Sequence, residues 1–285
     1  MARIAHLSDI HFGSHDPRIV AATEEWLLRH KPDLIVISGD FTQRAKVEQF
    51  REASEYLSRL RSGGFATLVV PGNHDVPLYN VFTRFAAPLD RYKRFIDDDL
   101  CPWFENDEIA VLGINTARSL TIKDGRINRE QIAMLCKRFS AVAKGKTRIL
   151  VTHHPLFAMP IEEDGKLTEA VGRHRDAVKA VADAGVHLAL AGHFHRTYAE
   201  AALKMVETAD NVLVIQAGTA TSTRLRNNEL QSFNWIHARR HDHVELQVIA
   251  WDGAQFKRGN HERFSHDGNI WTSQPVTEQS DFQEG

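Results

Sequence analysis

The chain has 285 residues, of which 42% are hydrophobic and 25% are charged, values typical of a folded globular protein. Its formal net charge of -2 and its pI of about 6.8 give it no general attraction to nucleic acid or to an anionic membrane. At this length, with apolar runs along the whole chain and no linker between them, a single α/β domain is the favoured organisation.

The start of the chain and its cysteines bear on the compartment. Met1-Ala2-Arg3 leads directly into a strand pattern, without the apolar region of a signal peptide, and no apolar run approaches the roughly 20 residues of a membrane span. Cys101 and Cys136 lack CxxC spacing, which suits a reducing compartment. We therefore predict a cytoplasmic protein with no membrane span and no nucleic-acid partner. The oligomeric state stays open, a dimer included.

Strands and helices alternate through the first two thirds of the chain. An N-cap at Asp16 with Pro17 at the first helical position predicts a helix that ends near His30. Helical spacing predicts a second helix from Val47 to about residue 62, and Asn128 with Gln131 forms a capping box for a third. A fourth helix is expected at 175–184. Short apolar runs predict strands at 3–7, 33–40, 65–70, 108–115, 147–152 and 186–191.

Two regions depart from this alternation. Residues 77–105 mix aromatic, basic and acidic side chains and are predicted to form a helical cap beside the site. Beyond residue 197 short strand patterns follow one another, and we expect them to form a second sheet that packs on the first. The predicted domain covers residues 1–260, and residues 261–285 are predicted to be a polar tail.

Polar clusters stand where five of the apolar strands end. In open α/β sheets ligands bind at the carboxyl ends of strands, so strand order can bring such clusters together. Each cluster alone is a weak signal, whereas five in one order indicate a metal site. The clusters are Asp9-x-His11, Gly39-Asp40, Gly72-Asn73-His74-Asp75, His153-x-Pro155 and Gly192-His193-x-His195.

This series of motifs resembles the calcineurin-like metallophosphoesterase superfamily. Within it, Gly39-Asp40-Phe41-Thr42-Gln43-Arg44-Ala45 is similar to the bacterial branch that includes class III cyclic-nucleotide phosphodiesterases. The resemblance implies an α/β fold, a four-layer αββα sandwich of two mixed β-sheets flanked by helices. It also implies a dinuclear centre of two divalent metal ions, for which imidazole and carboxylate ligands suit Mn, Fe, Zn or Co equally.

The resemblance assigns the ligands to two ions that share Asp40. One ion would be held by Asp9, His11, Asp40 and His195, and the other by Asp40, Asn73, His153 and His193. His153 is preferred as a ligand to its neighbour His154 because the family pattern places the ligand two residues before the proline. His154 remains the alternative ligand or a group that contacts the substrate.

The resemblance gives His74 and Asp75 catalytic roles. His74 would contact the phosphoryl oxygens or protonate the leaving oxygen. Asp75 would orient the His74 ring and favour its protonated form. Arg44, Tyr79, Arg84 and Arg224 are further candidates for contact with substrate, with surface ion pairs as the alternative.

The predicted function is hydrolysis of a phosphoester by a hydroxide that bridges the two metals. The favoured substrate is a small, cyclic-nucleotide-like phosphodiester. The alternatives are a nucleotide-linked lipid pyrophosphate, a glycerophosphodiester, a phosphomonoester, or a scaffold of the same fold without catalysis. The sequence does not choose the physiological substrate or the metals.

Overall fold

The computed structural model describes residues 1–77, 86–118, 125–156, 174–194, 198–201, 212–225 and 229–276. Within these residues two β-sheets lie between two groups of helices. No helix in this part of the chain combines the length and the apolarity that crossing a bilayer requires.

The first sheet has seven strands and contains both ends of the described chain. Its order is β13-β12-β11-β10-β1-β2-β3. The strands β1 to β3 run parallel to one another, and β10 joins the other side of β1 in antiparallel pairing. The strands are β1 (Ala2–Leu7), β2 (Leu34–Ile37), β3 (Thr67–Val69), β10 (Ser232–Arg240), β11 (His243–Trp251), β12 (Phe256–His266) and β13 (Trp271–Pro275).

The second sheet has six strands in the order β4-β5-β6-β7-β9-β8. Four of them, β5, β6, β7 and β9, run parallel to one another. Each edge strand is antiparallel to its neighbour, β4 to β5 and β8 to β9. The strands are β4 (Trp103–Glu105), β5 (Ile109–Gly113), β6 (Thr147–Val151), β7 (Leu188–Ala191), β8 (Tyr198–Ala201) and β9 (Leu213–Gln216).

Three apolar clusters define four layers. Between the sheets, side chains such as Ile4 and Val36 share a cluster with Val151 and Leu190. The outer face of the first sheet packs against α1 (Pro17–His30) and α2 (Val47–Ser62). The outer face of the second packs against α4 (Arg129–Ser140) and α5 (His174–Asp183). Alternate residues of each parallel strand face opposite layers, which is why these strands are apolar throughout. The predicted four-layer αββα sandwich of two mixed sheets is confirmed.

The helix ends follow the capping signals in the sequence. Asp16 caps α1, its side chain accepting from the Arg18 backbone N–H at 2.9 Å, and Pro17 is the first helical residue. Asn128 accepts from the Gln131 backbone N–H at 2.8 Å, while the Gln131 side chain accepts from the Asn128 N–H at 3.0 Å. Both helices therefore begin where local hydrogen bonding alone predicts.

The placement of the C-terminal strands corrects the sequence analysis. Strands β10 to β13 extend the first sheet, and only β8 and β9 of the later strands belong to the second. An antiparallel strand needs no crossover helix, so β10 can return directly to the free side of β1. Residues 261–266 and 271–275, expected in a polar tail, form most of β12 and all of β13. Their polar side chains suit a sheet edge that faces solvent.

The region 77–105 is only partly helical. Its described part contains the short helix α3 (Asp90–Phe95) and the edge strand β4 (Trp103–Glu105). Residues 103–105 pair with β5, so they belong to the second sheet and not to a cap. The assignment of the chain to a single domain stays a prediction.

The capping box of α4 predicts a stability change. Asn128→Ala removes the side-chain acceptor for the Gln131 N–H and should lower the free energy of unfolding by about 1 kcal/mol. Asn128→Ser, which keeps an oxygen at the same position, should lose much less. Urea unfolding followed by circular dichroism measures both. Equal losses for the two variants would show that the side-chain cap contributes nothing.

Candidate metal centre

The predicted ligands follow five parallel strands whose carboxyl ends meet at one end of the sandwich. Asp9 and His11 follow β1, Asp40 follows β2, and Asn73 lies in a 3-10 turn after β3. From the second sheet, His153 follows β6 and His193 follows β7. Residues up to 184 positions apart in sequence are thereby brought into contact, as the His193 N–H that donates to Asp9 Oδ2 at 3.0 Å shows.

Asp40 lies at the middle of the cluster. Its Oδ2 atom is 3.7 Å from His11 Nε2 and 3.4 Å from His153 Nε2. Its Oδ1 atom accepts from the His74 backbone N–H at 2.8 Å. One carboxylate oxygen of Asp40 thus lies between a histidine of the first sheet and a histidine of the second, the position that a bridging ligand would occupy.

The remaining ligand atoms divide into two groups around Asp40. On one side, Asp9 Oδ1 is 3.6 Å from His11 Nε2. On the other, Asn73 Oδ1 is 3.1 Å from both His153 Nε2 and His193 Nδ1. The structure therefore brings six of the seven predicted ligands together, while His195 lies outside the described residues. Their role as ligands stays a prediction.

The hydrogen bonding of His153 tests whether a cation fits. Its Nδ1 atom is 2.7 Å from the Ser38 carbonyl, and a carbonyl only accepts, so Nδ1 carries the proton. In the neutral ring the Nε2 lone pair then faces the oxygens of Asp40 and Asn73. Converging lone pairs repel one another unless a metal ion, or a proton on Nε2, lies among them. Nitrogen and oxygen ligands of this kind suit divalent transition metals, so the residues fit the predicted ions.

Ligand atoms of Asp9, Asp40 and His153 all lie within 4.8 Å of one another, and all three residues are buried. A second such group consists of His153, His154 and His193. Both groups contain His153, which places this residue at the junction of the two.

Protein charges alone perturb the titration of these groups. Burial opposes ionisation of Asp40, but the neighbouring imidazoles, above all His153, outweigh it and hold the Asp40 pKa far below its usual range. Burial likewise opposes protonation of His153, yet the Asp40 carboxylate raises the pKa of His153 to about 9. The pKa of His154 is well below its usual range because of burial and because His153 and His193 lie beside it.

The backbone is strained where the predicted ligands lie. Four of the predicted ligands have a positive φ, a region that non-glycine residues rarely adopt: Asp9 (53°), His11 (56°), Asp40 (53°) and His193 (81°). Each such residue costs of order 1–3 kcal/mol, and strain of this kind gathers at functional sites. The surrounding hydrogen bonds must offset this cost to hold these residues in place.

Two glycines allow the loops to approach one another. Gly39 has a φ of 101°, and a Cβ built there would lie 2.5 Å from His153 Nδ1. Gly72 has an ordinary φ, but a Cβ there would overlap the carboxylate and the backbone nitrogen of Asp40. Any side chain at either position would push a predicted ligand out of the cluster.

The contacts of Asp75 correct its expected role. Its carboxylate accepts from the backbone N–H groups of Phe41 (3.2 Å), Thr42 (2.9 Å) and Gly72 (3.0 Å), and from the Thr42 hydroxyl (3.1 Å). Within the described chain none of its hydrogen bonds reaches the His74 ring. Burial and the nearby Asp40 charge raise the pKa of Asp75 to about 6. Asp75 joins the loop after β2 to the loop after β3.

His74 is oriented by a backbone carbonyl instead. Its Nδ1 atom lies 2.8 Å from the Gln43 carbonyl and 3.4 Å from the Gln43 side-chain amide. The shorter contact is to a group that only accepts, so Nδ1 carries a proton and Nε2 is the atom left for a ligand. The half-buried ring stands edge-on to that of His11, with 4.9 Å between centroids.

Several supporting residues were not anticipated from the sequence. The Ser8 hydroxyl donates to Asp9 Oδ2 at 2.6 Å. The hydroxyls of Thr219 and Thr221 donate to the Asp9 and Ile10 carbonyls at 2.6 Å and 2.7 Å. These residues hold the strained loop after β1. Ser8, directly after a strand, offered a local signal, whereas Thr219 and Thr221 lie more than 200 positions away in sequence.

The other residues predicted to contact substrate lie in different surroundings. His154 is buried with Nδ1 2.8 Å from the Thr116 hydroxyl, and its ring centroid is 4.6 Å from that of His193, so it lines the cluster. Arg44 and Arg224 are exposed on the loop before α2 and on the segment after β9. Tyr79 and Arg84 lie outside the described residues.

Comparison with known proteins points to one family. The family model described as calcineurin-like phosphoesterase matches residues 2–197. The chain is 28% identical over 171 residues to a probable glycerophosphodiester phosphodiesterase GpdQ of Arcobacter nitrofigilis, covering 59% of each protein. It is 32% identical over 83 residues to the glycerophosphodiester phosphodiesterase GpdQ of Enterobacter lignolyticus, covering 25% of this chain and 29% of that protein. In both cases the match spans less than two thirds of the relative.

The fold is shared with a solved structure of a purple acid phosphatase, PPD1 of yellow lupin seeds. The TM-score is 0.69 at 14% identity, over 90% of this chain and 52% of the lupin protein. At this identity the likeness concerns the fold alone.

The contacts of Asp75 predict a structural effect of its loss. In Asp75→Asn one oxygen becomes an NH₂ group that faces backbone N–H donors, so we expect the free energy of unfolding to fall by about 3 kcal/mol. Chemical denaturation of the metal-free protein measures this loss.

Thr272→Ser, on the exposed edge strand β13, is the control and should leave stability unchanged. If Asp75→Asn unfolds like the wild type and loses only turnover, Asp75 acts on catalysis and not on the two loops.

Proposed function

The chain belongs to the calcineurin-like phosphoesterase family, and from that premise we propose that it is a phosphodiesterase that uses two divalent metal ions on a small substrate. The observation that carries the proposal is the position of Asp40 Oδ2 between His11 Nε2 and His153 Nε2. A carboxylate shared by two histidine-containing groups is what a two-metal centre requires.

Each ion has a ligand set among the residues that meet here. Asp9, His11 and Asp40 would hold one ion, with His195 as a further predicted ligand. Asp40, Asn73, His153 and His193 would hold the other. When bound, two such ions would supply Lewis-acid chemistry, polarising a phosphoryl group and making a water molecule a better nucleophile.

The ligand charges keep the centre attractive to a phosphate. Asp9 and Asp40 contribute the two carboxylates of the proposed ligand set, and Asn73 contributes a neutral amide oxygen in a position where a third carboxylate would add negative charge. Two dications with two carboxylates leave a positive centre facing an anionic diester. This is the reason we give for an asparagine at position 73.

His74 is the proposed proton donor. The Gln43 carbonyl holds its Nδ1–H, which directs Nε2 away from the loop. In the protonated ring Nε2–H would donate to the leaving oxygen or to a phosphoryl oxygen. His74 also gives its backbone N–H to Asp40, so the ring and the shared carboxylate are fixed to one loop.

Two kinds of small diester compete as substrate. The glycerophosphodiester named in both GpdQ relatives favours that substrate. The sequence from Gly39 to Ala45, which is similar to the branch that includes class III cyclic-nucleotide phosphodiesterases, favours a cyclic nucleotide. A phosphomonoester and a nucleotide-linked lipid pyrophosphate are further alternatives. A scaffold without catalysis is disfavoured because such a protein has no need of six ligand-type side chains on strained, buried loops.

A hydrolysis panel tests the function. The purified protein with added Mn²⁺ should hydrolyse bis(p-nitrophenyl) phosphate faster than p-nitrophenyl phosphate. Release of product from a glycerophosphodiester, from 2′,3′- and 3′,5′-cyclic nucleotides and from a UDP-sugar then ranks the substrates. Faster cleavage of the monoester would replace the diester proposal, and no cleavage of any compound would support the scaffold.

Two variants separate the ligands from the proton donor. His74→Ala should keep near two metal ions per chain and lose about 10²–10⁴-fold in turnover, because it removes a proton donor but no ligand. Asp40→Ala should lose metal itself, because both groups share this carboxylate. Elemental analysis of protein purified without chelator measures the metal.

His243→Ala, on the exposed start of β11, is the matched histidine control and should change neither quantity. Loss of metal from His74→Ala would contradict the assigned division of roles, and one ion or none in the wild type would contradict a dinuclear centre.

A further inference from the structure

A basic pocket lies apart from the predicted ligands, between the start of α2 and the helix α3. Its volume is about 590 Å³, within the range of small-molecule sites. Four of its lining side chains are cationic and one is acidic: Arg51, Arg91, Lys93, Arg94 and Asp90. The half-buried ring of Phe95 forms part of the wall, stacked on Phe50 beneath it. The pocket therefore carries an excess of positive charge.

The cations of this pocket differ from the other arginines of α2 in their pairing. Arg59 and Arg61 on the same helix form ion pairs with Glu24 and Asp97. Among the described residues, Arg51, Lys93 and Arg94 form no ion pair. Like charges that share a pocket repel one another unless a counter-charge is bound.

The start of α2 adds a second source of positive potential. Lys46 is the N-cap and makes no side-chain hydrogen bond to the first turn, where Ser, Thr, Asp or Asn is usual. The positive end of the helix dipole favours a bound anion there, while the charges of Lys46 and of Glu48 in the first turn offset one another. Val47, the first residue of this 16-residue helix, lines the pocket.

Arg91 is held in place at the edge of the pocket. Its Nη1 donates to the Ala45 carbonyl at 2.6 Å, and the other donors of a guanidinium remain for a ligand. A fixed guanidinium loses little freedom on binding, and its fork matches the oxygens of a phosphate.

We propose that this pocket binds the phosphate group of an anionic ligand, with Arg51, Arg91, Lys93 and Arg94 as its contacts. A tetrahedral dianion matches several converging cations better than a single carboxylate does. The phosphate can belong to a free phosphorylated metabolite or to a lipid headgroup. The inference stands apart from the proposed catalysis, since none of these residues belongs to the predicted metal centre.

Equilibrium dialysis with radiolabelled inorganic phosphate tests the site. Because the proposed metal centre would also bind phosphate, the measurement is made in the wild type and in Asp40→Ala. In both backgrounds Arg51→Gln/Arg94→Gln should weaken the phosphate binding that is independent of Asp40 by about tenfold or more, since two charge-assisted contacts are lost.

Arg129→Gln/Arg258→Gln is the control, because it removes the same charge from two exposed arginines outside the pocket. It should leave the phosphate binding unchanged. Circular dichroism checks the fold of each variant, and Lys93→Gln replaces the double variant if that does not fold.

Vesicles of phosphatidylcholine with and without phosphatidic acid distinguish the two sources. Cosedimentation that needs phosphatidic acid and is lost in Arg51→Gln/Arg94→Gln assigns the pocket to a lipid headgroup. Phosphate binding without cosedimentation assigns it to a free ligand. The proposal is overturned if the pocket variant and the wild type bind phosphate and vesicles alike, or if phosphate binding disappears entirely in Asp40→Ala.

Discussion

The structure depends on one buried carboxylate. Asp40 is almost inaccessible to solvent, and taking a carboxylate out of water costs several kcal/mol unless charges and hydrogen bonds replace the water. Here the replacement comes from His11, His153 and the His74 N–H. Since these residues follow strands of both sheets, the sheets must pack face to face with the carboxyl ends of their parallel strands at one end. The four-layer arrangement is what brings the partners of Asp40 together.

A second group of residues stabilises the loops that carry the predicted ligands. Asp75 accepts hydrogen bonds from three backbone N–H groups of the loops after β2 and β3. The hydroxyls of Thr219 and Thr221, which follow β9, donate to backbone carbonyls of the loop after β1. These bonds compensate for the positive φ of Asp9 and Asp40, which the isolated loops would relax. Preorganisation is thus provided by residues that never face a ligand.

The sequence predicted those features that local chemistry determines. Apolar runs located the strands, Asp16 and Asn128 located helix starts, and polar clusters at strand ends located the candidate ligands. The prediction that β10 to β13 belong to the second sheet was wrong, because an alternating strand has the same pattern in either sheet. Nor did the sequence predict the carbonyl that holds His74 or the partners of Asp75. Both depend on how two loops from different strands meet, and the family resemblance implied a pairing of His74 with Asp75 that the hydrogen bonds of the described residues do not show.

The loop after β2 serves three neighbours at once. Asp40 is shared by the two ligand groups, the Gln43 carbonyl holds His74, and the Ala45 carbonyl accepts from Arg91 at the basic pocket. The Thr42 hydroxyl connects them, because it contacts Asp75 on one side and accepts from the Ala45 N–H on the other. The backbone N–H groups of Phe41 and Thr42 donate to Asp75 and that of Ala45 donates to the Thr42 hydroxyl, so the segment between Asp40 and Ala45 has little freedom to rotate. A displacement of Arg91 would therefore reach Asp40 through five residues of hydrogen-bonded backbone, which makes this loop a direct physical connection between the pocket and the candidate metal centre.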